Sequence, residues 1–312
     1  MLCRTIWRTA SLAILSVGLA GAALAQYPSK PVTIIVGFGA GGGVDSISRA
    51  ASDTLSAKLG QTIVIQNKPG GGGALAATTL KAMPNDGHTL AAVISTTVSF
   101  DPHAGNLPYS ADDFEYIAAF GVFPEALVAL PNKGWKTFAD VVAAAKKSAN
   151  GLTYASTTSL DKVVLAEIAK KEGVTFKPVP TKGGAEAVAQ TLGGHVDFAY
   201  SSGTYYAQAK AGKLLVLAGL GTQPVPGFES APTLTSLGYN VSSVNMVVYL
   251  APKGISADAK AKLVAAFKAA STAEAVKALL AKRNMGTYTP TGSEVADLIK
   301  KQSAQFAAAM KK

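Results

Sequence analysis

The fold is decided by residues 32–45, which read VTIIVGFGAGGGVD. Val32–Val36 is a short β-branched run, Gly37–Gly43 is a glycine-rich loop, and a helical pattern begins near Val44 and ends at Gly60. Strand, glycine loop and helix in this order are typical of one βα unit of an α/β sheet. Glycines let the backbone approach a ligand closely, and a helix start offers free N–H groups and a positive dipole end. The stretch therefore predicts a cradle for an anion at the end of a strand.

The same order of elements recurs along the chain. Further strands are predicted at Thr62–Gln66, Leu90–Ser95, Ala126–Leu130, Leu152–Ala155, Phe176–Val179, Val196–Tyr200, Leu214–Leu220 and Asn245–Ala251, and three helices close the chain. Strands that alternate with helices predict parallel α/β sheets. Because two such units follow each other without a flexible linker, we expect two lobes. The chain is expected to cross between them near Val122–Glu125 and near Ser243–Val247.

The first 25 residues have the pattern of a secretory signal peptide. Arg4 and Arg8 precede the uncharged, mostly apolar residues 10–22, and Ala23-Leu24-Ala25 fits a signal-peptidase site. The alternative, an uncleaved membrane anchor, needs about 20 apolar residues, more than this run provides. We therefore expect cleavage before Gln26 and a periplasmic protein. The only cysteine is Cys3, so the exported chain would fold without disulfides.

The charge pattern argues against nucleic-acid binding. Beyond residue 25 the chain has 27 basic residues, of which only Arg49 and Arg283 are arginines, and the lysines are scattered. Nucleic-acid readers favour the bidentate guanidinium of Arg. The remaining positive balance indicates a modest preference for anionic ligands.

The first glycine loop satisfies the dinucleotide pattern G-x-G-x-x-G over Gly37–Gly42. That fingerprint also needs an acidic residue at the end of the second strand, where this chain has Gln66 and Asn67. The loop is therefore interpreted as a carboxylate cradle. Asp45 has two open roles, stabilising the first turn of the helix or facing a ligand cleft.

Other predicted βα turns also carry glycines or hydroxyls, and in open α/β sheets ligands bind at the carboxyl ends of strands. These turns are Pro69–Gly73, Ser95-Thr96-Thr97, Ser156–Ser159 and Lys182-Gly183-Gly184. No G-x-S-x-G elbow is present, and His88, His103 and His195 are isolated from one another. We expect a ligand cleft without a reaction centre, no catalytic residue, no cofactor and no metal. A secreted serine hydrolase remains an alternative.

A family becomes recognisable at these residues. The chain resembles the Bug-type extracytoplasmic solute receptors of tripartite tricarboxylate transporters from Tyr27 almost to its C-terminus. The resemblance rests on the order and spacing of the strand and loop up to Asp45 and Arg49, Asn67-Lys68-Pro69-Gly70, Asp86-Gly87-His88-Thr89-Leu90, Leu107-Pro108-Tyr109, Lys182-Gly183-Gly184, Gly193-Gly194-His195-Val196-Asp197, Ala211-Gly212-Lys213-Leu214 and Leu250-Ala251-Pro252.

The resemblance implies a two-lobed periplasmic-binding-protein fold of type II-like plan, with two crossover strands and a cleft. With the expected crossings, lobe 1 comprises residues 26–123 and 245–312, and lobe 2 comprises 124–244. The implied function is capture of a small organic acid, a dicarboxylate or an aromatic carboxylate, by a monomer that delivers it to membrane transporter subunits. A ligand sensor that feeds a two-component system is an alternative with the same fold.

The resemblance also implies the ligand-binding residues. In the first lobe they are Phe38, Gly39, Ala40, Gly41, Gly42, Asp45, Ser95 and Thr96; in the second they are Ser156, Thr157, Thr158, Ser159, Lys182, Gly183, Gly184 and Ser201. The chain departs from the family pattern mainly in the second lobe. Ser156–Asp161 replaces a Ser-x-Gly-x-Gly-Thr-like turn, and Ser201-Ser202 stands where an acidic or amide pair is common.

Overall fold

The computed structural model describes residues 27–239 and 244–310. The predicted signal peptide lies outside the described residues. The strands are β1 (Val32–Val36), β2 (Ile63–Asn67), β3 (Thr89–Ile94), β4 (Phe114–Val122), β5 (Glu125–Ala129), β6 (Leu152–Ser156), β7 (Phe176–Pro180), β8 (Phe198–Ser202), β9 (Leu215–Gly219) and β10 (Met246–Pro252). The helices are α1 (Gly43–Leu59), α2 (Ala74–Lys81), α3 (Ser95–Ser99), α4 (Asp101–Ala104), α5 (Phe138–Lys147), α6 (Ser159–Glu172), α7 (Gly184–Leu192), α8 (Tyr206–Lys210), α9 (Ala257–Ser271), α10 (Glu274–Lys282) and α11 (Ser293–Met310).

The strands form two five-stranded sheets, one in each lobe. The first has the order β2-β1-β3-β10-β4 and the second the order β7-β6-β8-β5-β9. In the first sheet β1 pairs in parallel with β2 and β3, while β10 is antiparallel to β3 and β4. In the second sheet β6 is parallel to β7 and β8, while β5 is antiparallel to β8 and β9. The fold class is therefore α/β with two mixed sheets.

The prediction of parallel sheets was wrong for β5 and β10, and β4 was not predicted at all. Strands β4 and β5 flank the crossing from one lobe to the other, with only Phe123 and Pro124 between them. β5 follows β4 with no helix between them, so the alternation of strand and helix does not reveal its direction. The chain returns to the first lobe near Asn245. The backbone N–H of Phe123 in the first crossing donates to the Asn245 carbonyl at 2.9 Å, and this hydrogen bond joins the two crossings.

Each sheet is covered by helices on both faces. Because successive side chains of a strand point to opposite faces, Ile34 packs in one core cluster of the first lobe and Ile35 in the other. Helices α1, α9 and α10 cover the first cluster, and α2 and α11 cover the second. Phe138 of α5 and Leu165 of α6 pack on one face of the second sheet.

Thr137 and Asp140 form a capping box at the start of α5. Within the described ranges, no helix has the length and apolar character needed to cross a membrane.

Candidate ligand-binding site

The two lobes touch through their glycine-bearing turns. The Gly39 N–H donates to the Lys182 carbonyl at 2.7 Å, which is a direct backbone bond between the lobes. At Gly72, whose φ is +66°, an added Cβ would lie 3.3 Å from Cα of Thr158 in the opposite lobe. The absence of side chains at these positions permits the close approach. The turns predicted from the sequence therefore meet in one cleft.

The cleft contains two cavities to which both lobes contribute. The inner cavity has a volume of about 10 Å³ and is lined by Phe38, Gly42, Gly43, Val44, Ile94, Phe123, Thr157, Thr158, Gly184 and Ser202. The outer cavity has a volume of about 300 Å³ and is lined by Gly37, Phe38, Pro69, Gly70, Gly71, Gly72, Thr157, Pro180, Thr181, Lys182 and Glu186. Since a water needs roughly 10–15 Å³, the inner cavity offers room for about one water in this closed arrangement.

Asp45 organises the first glycine loop from behind. Its buried carboxylate accepts hydrogen bonds from Gly41 N–H at 2.9 Å, Arg49 Nε at 3.0 Å and Asn67 Nδ2 at 2.9 Å. Asn67 Nδ2 also donates to the Phe38 carbonyl at 3.0 Å, so both ends of the loop are fixed. Burial alone raises the pKa of Asp45, but the hydrogen bonds outweigh it and hold the pKa below its ordinary value. Asp45 therefore positions the loop with a carboxylate that is already satisfied.

The remaining loop residues divide between cavity and surface. Phe38 and Gly42 line the inner cavity, whereas Ala40 and Gly41 lie at the exposed tip of the loop. Gly43 and Val44, the first residues of α1, also line the cavity. The first N–H groups of a helix have no acceptor within the helix, so α1 directs donors and its positive end to this region.

Arg283, which follows the last residue of α10, reaches the same loop. Its Nη2 donates to Ser46 Oγ at 2.7 Å and to the Gly41 carbonyl at 3.3 Å. Its buried Nη1 has no hydrogen-bond partner among the residues that the structure describes. Burial lowers the pKa of the guanidinium, and the charge of Asp45 opposes this effect. A cation thus stands beside the start of α1.

The hydroxyl turn after β3 is bound to the second crossing. Ser95 Oγ and Thr96 N–H both donate to Asn245 Oδ1 at 3.1 Å. Asn245 Nδ2 in turn donates to Glu125 Oε1 at 2.8 Å, and the Tyr200 hydroxyl donates to the same oxygen. A buried polar chain therefore runs from the first lobe through both crossings into the second. The Ser95 hydroxyl and the Thr96 N–H are therefore hydrogen-bonded within this series of buried polar groups.

In the second lobe, the turn before α6 surrounds an acidic side chain of its own. The N–H groups of Thr157 and Thr158 donate to Asp161 Oδ2 at 2.8 and 2.7 Å, and Ser156 Oγ donates to Oδ1 at 2.6 Å. Burial raises the pKa of Asp161, against the effect of these hydrogen bonds. The donors that a ligand anion would need at this turn are thus occupied by Asp161.

A second acidic side chain meets this turn from the other lobe. Asp101 of α4 is 4% exposed and is hydrogen-bonded by Ser159. Burial raises the pKa of Asp101 to about 8; the hydrogen bond from Ser159 opposes the rise and the charge of Asp161 adds to it. The contact between Asp101 and Ser159 joins the lobes at the edge of the cleft.

The other predicted residues of the second lobe lie at the same cleft with different exposure. Gly184 lines the inner cavity and Lys182 the outer one, while Gly183 approaches Phe38. Ser201 is fully buried and shares a hydrogen bond with Thr204 Oγ1 at 3.1 Å. Its neighbour Ser202 lines the inner cavity instead. Adjacent residues of a strand face opposite sides, so a shift of one residue decides which serine meets the cavity.

Sequence reasoning missed several residues that shape the cleft. Asp101, Arg283 and Asn245 carry no motif of their own, and each of them, like Asn67, acts through a partner distant in sequence. One signal was available for Asn67, since it begins the quoted Asn67-Lys68-Pro69-Gly70 motif. No group of three or more His, Cys, Asp or Glu residues suited to a metal occurs in the described part of the chain.

Two α/β lobes, two crossings and a cleft lined by glycine and hydroxyl turns define the fold of solute-binding receptors. The sequence matches the family described as tripartite tricarboxylate transporter family receptor over residues 47–312. It is 31% identical over 293 residues to the "UPF0065 protein in gbd 5'region" of Cupriavidus necator, covering 89% of this chain and 87% of that relative. The chain therefore belongs to the tripartite tricarboxylate transporter family of receptors.

Solved structures share the fold. MatC from Rhodopseudomonas palustris, described with bound malate, has a TM-score of 0.83 at 24% identity and covers 91% of this chain and 100% of its own. Rpa4515 from R. palustris, described with adipate, has a TM-score of 0.76 at 23% identity, covering 91% and 97%. The protein is a solute-binding receptor and not an enzyme, because members of its family are substrate-binding receptors. Family membership thus excludes the serine hydrolase alternative.

Proposed function

We propose that this protein captures a small organic acid in the periplasm and delivers it to the membrane subunits of a tripartite tricarboxylate transporter. The observation that carries the proposal is the start of α1, where Gly42, Gly43 and Val44 line the inner cavity beside the Arg283 guanidinium. Helix N–H groups and a nearby cation stabilise a carboxylate. Malate and adipate in MatC and Rpa4515 support a carboxylate as the ligand class.

The proposed site keeps the predicted residues of both lobes and gives them three roles. Phe38, Gly42, Thr157, Thr158 and Gly184 face the ligand, together with the newly found Gly43, Val44, Phe123 and Ser202. Asp45, Ser95, Thr96, Ser156, Ser159 and Ser201 hold the turns in place through the bonds described above. Gly39, Ala40, Gly41, Lys182 and Gly183 form the contact between the lobes and its rim.

The proposal includes lobe motion and export. Residues 26–123 with 245–312 move as one lobe and residues 124–244 as the other, because the connection between β4 and β5 is only two residues long. The chain acts as a monomer and reaches the periplasm by cleavage of its first 25 residues. The intact mass of the exported protein tests that cleavage.

Thermal-shift and calorimetric screening against organic acids tests the function. A ligand that binds the folded state raises the melting temperature by mass action. We expect stabilisation by at least one carboxylate and none by the corresponding carboxamide, which lacks the negative charge. If no carboxylate of the panel binds, or if acid and amide bind equally, carboxylate capture at α1 is wrong.

A further inference from the structure

The turn between β6 and α6 borders the inner cavity and carries a carboxylate of its own. Asp161 is 1% exposed and lies directly behind Thr157 and Thr158, which line the inner cavity. It accepts both of their backbone N–H groups and the hydroxyls of Ser156 and Thr158. The Asp161 N–H is also occupied, since it donates to Thr158 Oγ1 at 3.0 Å. An anion arriving at this turn finds these donors taken.

Asp101 adds a second acidic group at the same place when the lobes meet. Its Oδ2 lies 3.7 Å from the position that a Cβ on Gly72 would occupy, between the lobes, and Ser159 hydrogen-bonds it. The basic side chain that acts on Asp101 is Lys162, which is exposed to solvent on α6. Two carboxyl groups of the protein, one from each lobe, therefore lie at the N-terminus of α6.

Apart from its glycines and hydroxyl-bearing residues, the lining of the inner cavity is apolar. The apolar side chains are those of Phe38, Ile94, Phe123 and Val44. Arg283 is located at the first-lobe loop, next to Gly41 and Ser46. Lys182 lines the outer cavity from the second lobe. Arg283 therefore places a positive charge at the α1 end of the cleft, whereas the amide donors of the turn before α6 are occupied by Asp161.

Resting on the proposed function, we propose that Asp161 is a specificity-determining residue that restricts the receptor to monocarboxylates whose far end is uncharged. One carboxylate binds at α1, and the far end of the ligand packs against the aromatic lining near Thr157 and Thr158. A dicarboxylate is rejected because its second carboxylate meets apolar side chains and backbone amides that Asp161 already occupies.

Calorimetry with three six-carbon acids tests the inference. Hexanoate, adipate and 6-aminohexanoate share a chain length and differ in a neutral, anionic or cationic far end. We expect hexanoate to bind at least about tenfold more tightly than adipate, the range of one hydrogen bond to a charged group being about 10- to 150-fold. The pairs benzoate with terephthalate and 2-hydroxybutanoate with malate extend the test to other shapes.

The variant Asp161→Ser frees the two amides while Thr158 still caps α6, and we expect it to gain adipate affinity by about tenfold or more. Asp161→Asn removes the charge but still occupies the amides, and should gain less. Asp140→Ser is the matched control, because Asp140 accepts the N–H groups of Lys136 and Thr137 at 2.8 Å each in a similar capping box on α5. Thermal unfolding verifies that each variant folds.

The outcomes distinguish failure of the inference about Asp161 from failure of the proposed function. If a dicarboxylate binds as tightly as its monoacid, the role of Asp161 is wrong while carboxylate capture stands. Tighter binding of 6-aminohexanoate than of hexanoate overturns the uncharged far end. If Asp161→Ser changes the adipate to hexanoate ratio no more than Asp140→Ser does, the turn does not set specificity. Failure of every acid to bind removes the proposed function and this inference together.

Discussion

A disulfide between the glycine loop and the second lobe is expected to lock the cleft. An added Cβ on Gly39 would lie 3.3 Å from the Cβ of Lys182, and disulfides span roughly 3.5–4.5 Å between these atoms. Gly39 has a negative φ, so cysteine fits its backbone. The pair Gly39→Cys and Lys182→Cys therefore needs a shift of only a few tenths of an ångström, and from residue 27 on the chain has no competing cysteine.

The expected gain in stability follows from the length of the loop that the disulfide closes. The expected loss of binding follows from the size of the cavity that it seals. Cross-linking two residues more than 100 positions apart stabilises the folded state by about 5 kcal/mol in the chain-entropy model, less any strain. The inner cavity of about 10 Å³ cannot admit an organic acid while the lobes stay together. We expect the oxidised variant to melt higher and to lose binding of a carboxylate added after oxidation.

The assay compares oxidised and reduced protein by calorimetry with the tightest acid found in screening. Reduction should restore binding, and acid added before oxidation should remain trapped. Each single cysteine variant controls for the loss of Gly39 or Lys182 itself. Unchanged binding by the fully oxidised protein refutes the idea that the ligand enters between the lobes. Failure of the disulfide to form shows that the two turns do not meet in solution.

Three further predictions concern charged groups. Arg283→Gln should weaken carboxylate binding about tenfold or more, as expected for a lost interaction with a charge, while the exposed neighbour variant Lys282→Gln should not; titration calorimetry compares them. Asp101 favours its neutral form in the closed cleft, so closure of the lobes should weaken as pH rises from about 4 to about 8 and should not change further above pH 8. Small-angle scattering should detect the larger radius of gyration, and Asp101→Asn should remove its pH dependence. Asp45 has a lowered pKa, so its stabilisation is present above about pH 4 and is lost as pH falls through the folded-state pKa. Asp45→Asn should therefore cost about 1–3 kcal/mol of unfolding free energy at pH 7 and progressively less as pH falls below about 4, measured by urea unfolding.

Much of the local structure could be predicted because its causes are local. The strand at Val32–Val36, the end of α1 at Gly60 and the cap of α5 at Thr137 all follow from residues that are neighbours in sequence. Glycine supplies the left-handed conformation that ends a helix, and a short polar side chain satisfies the first N–H groups. The family resemblance added the two-lobed plan, which the two sheets confirm.

The direction of the strands and the face of the sheet on which a given side chain lies could not be predicted in the same way. β10 runs antiparallel to both of its neighbours, β3 and β4, which depends on where the chain crosses between the lobes. Ser202 rather than Ser201 lines the inner cavity because β8 spans Phe198–Ser202 and its register with β5 sets which side faces the cleft. A difference of one residue in a strand reverses the face, and the pattern of apolar residues does not fix it so finely.

The sequence by itself determined where the turns of the cleft lie, because a β-branched run followed by glycines and a helix forms a βα turn whatever surrounds it. Only the tertiary structure decided which donors of those turns can meet a ligand. Asp45 is held by Asn67, 22 positions away, and Ser95 by Asn245, 150 positions away. A backbone N–H or a hydroxyl looks the same in any sequence, and the partner that occupies it is chosen by packing across the sheets and between the lobes.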